Sequence, residues 1–195
     1  MPLGAHKAAI MGVAGVSTAD VVLIQSQTAS DSATISFTSG IDSTYKEYIF
    51  GLYKIHARVD RPVFGFQVNV AGESGYNETI TSTGFRGHHT EDGSEGLLQY
   101  LSAMDQAQGT DFQQLNNDNC NDADGASALV LHLFNPSGTT YAKHFMSRAV
   151  NNGHHPNHQD IFMSGYINAT GAIDEVQFKM SSGNFDGVIK LWGVK

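Results

Sequence analysis

Residues 173–194 read Ile173-Asp174-Glu175-Val176-Gln177-Phe178-Lys179-Met180, then Ser181-Ser182-Gly183-Asn184-Phe185-Asp186-Gly187, then Val188-Ile189-Lys190-Leu191-Trp192-Gly193-Val194. Val176, Phe178 and Met180 alternate with Gln177 and Lys179, which is the period of two that a half-buried strand requires. The last segment is β-rich as well, and a glycine-containing loop joins the two. The spacing predicts a hairpin.

The same pattern recurs upstream. Phe64, Phe66, Val68 and Val70 are set against Gln67 and Asn69, so the strand expected over 63–70 has an apolar and a polar face. Residues 45–57 form the longest β-rich run. Its middle (Tyr48, Ile49, Phe50, Leu52, Tyr53) is apolar on both faces, which fits a strand buried on both sides or one packed on a neighbouring subunit. Further strands are expected over 21–27, 33–39, 77–86, 128–134, 141–150 and 161–168, with turn clusters such as Ala29-Ser30-Asp31-Ser32 and Asn135-Pro136-Ser137-Gly138 between them. Only 95–115 carries helical spacing, through Leu97, Leu98, Leu101 and Met104, and Gly109 interrupts it. About ten short strands with frequent turns predict an all-β fold: an antiparallel β-sandwich or jelly roll.

Composition agrees. The 195 residues are 41% hydrophobic and 15% charged, with 21 Gly, 4 Pro, 7 Tyr, 11 Phe and 1 Trp. That excludes an acidic disordered chain, which lacks aromatics, and a helical bundle, whose faces need Glu, Lys and Arg. The formal charge of −8 removes the positive footprint that nucleic acid or an anionic membrane surface would need. Cys120 is the only cysteine, so no disulfide framework exists within the chain. Residues 1–20 are small and apolar with no clear period. The stretch after Lys7 has the length of a short signal core, but it is read here as an extended N-terminal arm for inter-subunit contact. Residues 21–195 are then one β-sandwich domain.

The ending MSSGNFDGVIKLWGVK resembles a tail, sG-N-x-x-x-G-x-I-x-L-Y-G, found in bacteriophage virion structural proteins, with Trp192 where that tail usually has Tyr. Ile41-Asp42-Ser43-Thr44-Tyr45-Lys46-Glu47-Tyr48 and the later Phe64-Gly65-Phe66-Gln67 resemble the opening strands of such domains. Tyr76 after a Gly-rich turn and Asp160-Ile161-Phe162 fit the same layout. The likeness covers roughly residues 40–195. It implies a β-sandwich component of the virion, either a capsid decoration (cement) protein or a tail or fibre part. Its implied partners are its own copies, as a homotrimer, and other virion proteins such as the major capsid protein.

No residue set reads as catalytic, and no cofactor is expected. Glu73, Glu78, Glu91, Asp92 and Glu95 sit in turns without the context of a glycosidase pair, and no Gly-x-Ser-x-Gly elbow exists. His154, His155 and His158 are weak metal candidates, because histidines in a loop converge only with help from the fold. Asn116, Asn117, Asp118, Asn119, Asp122 and Asp124 supply oxygens without EF-hand spacing. His132 is expected as a hydrogen-bonded interior or interface residue. Phe50, Tyr53, Phe64, Phe66 and Trp192 are expected in the core. The partner-binding residues expected in the arm are Leu3, Ile10, Met11 and Val13, each worth roughly 1.5–3 kcal/mol if buried. The alternative reading is a carbohydrate-binding jelly-roll module for host-surface adhesion, using Trp192 as a stacking platform.

Overall fold

Period-two segments dominate the chain, and the computed structural model, which describes residues 21–195, is all-β, with no helix among the described residues. Thirteen strands are described. They are β1 (Val21–Ser32), β2 (Thr34–Phe37), β3 (Glu47–Ala57), β4 (Phe64–Val70), β5 (Ile80–Thr90), β6 (Gly96–Tyr100) and β7 (Ala107–Gly109), then β8 (Gln113–Gln114), β9 (Ser127–Phe134), β10 (Lys143–Asn152), β11 (Asn157–Ile167), β12 (Ile173–Met180) and β13 (Phe185–Val194). They build a nine-stranded sheet in the order β1-β13-β3-β9-β10-β11-β5-β6, with β7 also pairing β5, and a four-stranded sheet in the order β2-β12-β4-β8. Every pairing is antiparallel. The two sheets pack as a sandwich, as expected. The Leu3, Ile10, Met11 and Val13 contacts lie outside the described residues.

The hairpin expected over 173–194 is not formed. β12 belongs to the small sheet, between β2 and β4, and β13 to the large one, between β1 and β3. Ser181–Asn184 therefore carries the chain across the sandwich instead of along one sheet. Gly183, at φ 67°, supplies the left-handed residue this corner needs. The cause is visible in the side chains. Val176, Phe178 and Met180 face Phe185, Ile189 and Leu191 across the core, which two paired strands of a single sheet could not achieve. The chain also changes sheet between β1 and β2 and between β3 and β4.

Phe178 is the hub of the core. Its ring lies 5.3 Å from Phe50, 6.0 Å from Phe64, 6.3 Å from Phe37 and 6.4 Å from Phe66, centroid to centroid. Tyr48, Leu52, Leu131, Leu133, Phe145 and Ile161 close the large-sheet side.

Residues 95–115 form no helix. Gly96–Tyr100 instead pairs with Phe85–His89, extending the large sheet. Residues 107–109 pair with β5 and 113–114 with β4. The four apolar residues that suggested a helix are divided by the strand. Leu101 and Met104 reach the core, while Leu98 points to solvent. This segment also explains why the polar face of β4 is buried. Gln67 Nε2 donates to the carbonyls of Glu78, Thr110 and Asp111, so its amide ties two loops to the small sheet.

Candidate functional site

The inner face of the nine-stranded sheet is spent on the core; its outer face is where the unexpected apolar surface lies. Antiparallel register sets outward residues side by side in rows. One row runs Leu23, Trp192, Ile49, His132, Met146, Ser164. The next runs Lys190, Gly51, Val130, Arg148, Phe162, Phe85, Tyr100. Several large apolar groups on this face are exposed: Leu23 52%, Tyr53 46%, Met146 47%, Phe85 46% and Tyr100 61%.

Two adjoining hollows occupy the face. One, of about 450 Å³, is floored by Phe85, Phe162 and Met146, with Thr83 and Ser164 at its margin. The other, of about 410 Å³, is floored by Ile49, Gly51, Val130 and Trp192. Val130 and Arg148 border both, so the two hollows form one shallow surface. Phe85 and Phe162 stack at 5.0 Å with an 11° interplanar angle. Gly51 has no side chain, and the Trp192 ring edge fills that space, meeting Tyr53 edge-on at 6.4 Å.

The charges on this face are tied down. The Arg148 guanidinium sits 5.0 Å above the Phe162 ring and forks onto Asp160, Nε to Oδ1 at 2.8 Å and Nη2 to Oδ2 at 2.7 Å. That fork holds the Asp160 carboxyl below the ordinary carboxylate range. His132 Nδ1 lies 2.5 Å from Glu47 Oε1, in line with the hydrogen-bonded role expected for it. Lys190 Nζ rests 5.8 Å from the Tyr53 ring centroid. Glu47 and Asp160 stand three strands apart and six residues out of register, roughly 24 Å at ordinary strand spacing and rise, beyond the ~5–9.5 Å at which two carboxyls cooperate on a glycosidic bond. An apolar floor whose Arg148 is paired with Asp160 is suited to adhesion.

Trp192 and Tyr53 were expected in the core and are not there. Both project outward, because β3 and β13 are apolar on two faces and only one of those faces meets the small sheet. The apolar run at 48–53 was the signal for a second packing surface; which side chains formed it depended on the register.

Among the remaining candidates the fold keeps His154 and His155 in edge-on ring contact at 5.3 Å but completes no ligand set with them from the described residues. His154 Nδ1 sits 3.2 Å from Asp60, His155 Nε2 sits 2.8 Å from Arg61 Nη2, and His158 lies on β11 opposite His89. No group of three or more His, Cys, Asp or Glu among the described residues is placed to hold a metal ion. Asn116 and Asn119 are buried and bonded to each other and to Ser127, so their amides serve the fold. Cys120 is a buried free thiol whose pKa burial raises, so it is no ready nucleophile. Glu73 and Glu78 lie before β5, and Glu91, Asp92 and Glu95 beyond its other end, so the two groups are not paired.

No family model and no curated protein matches this chain. Among solved structures it is similar to the catalytic domain of a laminarinase from Thermotoga petrophila, at 8% identity and TM-score 0.24, covering 83% of this chain and 69% of that one. It is similar also to a Flavobacterium sp. laminarinase, at 10% identity and TM-score 0.24, covering 85% and 77%. The laminarinase catalytic domain from Thermotoga maritima gives 9% identity and TM-score 0.25, covering 90% and 77%. No residue role is transferred from likenesses at this level.

Proposed function

We propose that this chain is a structural component of a phage virion, a capsid decoration (cement) protein or a tail or fibre part, which binds its own copies and neighbours such as the major capsid protein. The observation that carries the reading is the outward apolar face of the nine-stranded sheet. Exposed apolar groups gathered on one face and rimmed by polar residues mark interaction sites. The resemblance of the 180–195 tail and of the 45–67 strands to virion proteins supports the same reading. Catalysis has no part in it. Mass spectrometry of purified particles from the source phage tests it: the chain is expected at a fixed copy number per particle, and its absence from particles would overturn the proposal.

A second reading rests on the exposed pair Trp192 and Tyr53. Aromatic rings at an open sheet face are suited to stacking on sugar rings, so the same face could serve a carbohydrate-binding module in host adhesion. Calorimetric binding of a glycan that Trp192→Ala abolishes would favour it over the purely structural role.

A further inference from the structure

The outward face of the nine-stranded sheet is an apolar surface, and the sequence that precedes β1 is apolar as well. From Ala8 to Ala19 the sequence AAIMGVAGVSTA carries no charged side chain. That segment enters the described fold at Val21, the first residue of β1, which is the edge strand of this same sheet. We infer that residues 8–16 of one copy dock on the outward face of a second copy, over the hollow floored by Phe85, Phe162 and Met146. The inference rests on the structural role proposed above and names the acceptor of the arm.

Chemistry and reach both support it. Met146, Phe162 and Phe85 present an apolar floor, and the one cation beside them, Arg148, is already forked onto Asp160. Ile10, Met11 and Val13, spaced by small residues, bring apolar groups of matching character and no charge that would need a partner. Ile10 precedes Val21 by eleven residues, an extended reach of roughly 36–40 Å, which matches the roughly 34 Å that eight strands span. Direction favours a second copy. Val21 pairs with Val194 at the terminal row of the sheet, and β1 runs from there inward, so the chain enters β1 from the end of its own sheet. A contact between an arm and a different surface is heterologous, and it yields a discrete particle only by closing into a ring. A homotrimer of about 63 kDa, three times the 21.0 kDa chain, is such a ring.

The test uses the full-length chain with a benzophenone photo-crosslinking residue in place of Ile10. Irradiation is expected to give covalent dimers and higher bands on a denaturing gel, with crosslinks mapped to Met146 or Phe162. Crosslinks confined within one chain, or falling on other surfaces, would overturn the inference. Met146→Glu provides the second arm, since Met146 is half exposed and its change leaves the core untouched. It is expected to lose the crosslinked bands and to lower the solution mass to 21.0 kDa at unchanged circular dichroism; an unchanged mass and band pattern would overturn the inference. A chain that crosslinks arm to face but is absent from virions supports the inference and removes only the virion role. A chain present in virions with its arm crosslinked elsewhere removes only the inference.

Discussion

Gly51 lies under the indole of Trp192: a Cβ on Gly51 would stand 2.7 Å from the indole Cζ3 and 2.9 Å from the Tyr53 hydroxyl. Both obstructing atoms are the far ends of partly exposed side chains, so the rings can swing aside while the backbone stays. Gly51→Ala is expected to cost about 1 kcal/mol by displacing these contacts and to move Trp192 further into water. Trp192 is the chain's only tryptophan, so its emission reads the change directly. A red shift with a small loss of melting temperature is the expected result.

The core between the sheets and the outer face of the large sheet should respond differently to truncation. Phe178, fully buried among four other phenylalanines, is expected to cost about 3–5 kcal/mol as Phe178→Ala, because the cavity cannot collapse. Met146→Ala, on the outer face, is expected to change the unfolding free energy of the monomer by no more than about 0.5 kcal/mol. Urea denaturation of both variants checks the assignment. A large loss at Met146 in monomeric protein would mean that the outer face is part of the fold.

The alternation at 64–70, 128–134 and 173–180 was enough to place most strands, because a strand's period is local and a half-buried strand announces its inner face. Partnership was not local. The segments at 173–180 and 185–194 read as a hairpin because their loop is short and contains Gly183, yet which sheet each joins depends on β4 and β3, far away in sequence. Gln67 read as part of a polar strand face, and nothing near it in sequence signals that Thr110 and Asp111 fold over it. Likewise Leu97, Leu98, Leu101 and Met104 matched a helix, but the open edge of β5 offered a ladder partner that a helical segment could not use. The outer face was half legible: the double-sided apolarity of residues 48–53 pointed to it, while Trp192, Arg148 and Phe162 joined it only through register.

Lys143 illustrates a buried charge held by backbone alone. It is 1% exposed, and its Nζ donates to the carbonyls of Ala169, Thr170 and Gly171 at 3.1, 2.9 and 2.6 Å. Burial pulls the ammonium below its ordinary pKa. Lys143→Met matches the chain length but strands three carbonyls, and is expected to destabilise by about 3 kcal/mol. Thermal melts give the magnitude, and faster amide exchange over residues 168–172 is the accompanying local sign.

Chelation should leave the protein unchanged. His154 is engaged by Asp60 and His155 by Arg61, while His158 belongs to a strand paired with β5. EDTA is expected to alter neither the solution mass nor the melting temperature. A drop in either would show that copies of the chain bring these histidines together around an ion.

Tyr76 is expected to contribute to a loss of stability at alkaline pH. Its hydroxyl donates to Glu175 Oε2 at 2.7 Å, and burial, with the carboxylate's contribution, pushes its pKa up to about 12 from 10.0. The unfolded chain gives up this proton near pH 10 while the folded chain keeps it, so between these values the unfolded state binds fewer protons. Stability from Tyr76 is therefore complete below pH 10 and is lost as pH rises toward 12. Two units correspond to about 2.7 kcal/mol; partial access to water reduces the expected loss to about 1–2 kcal/mol. Tyr76→Phe should cost about 1 kcal/mol at neutral pH through the lost hydrogen bond and should flatten the decline between pH 10 and 12. Urea unfolding across that range decides it, because an equally steep decline in the variant would place the alkaline sensitivity in other groups.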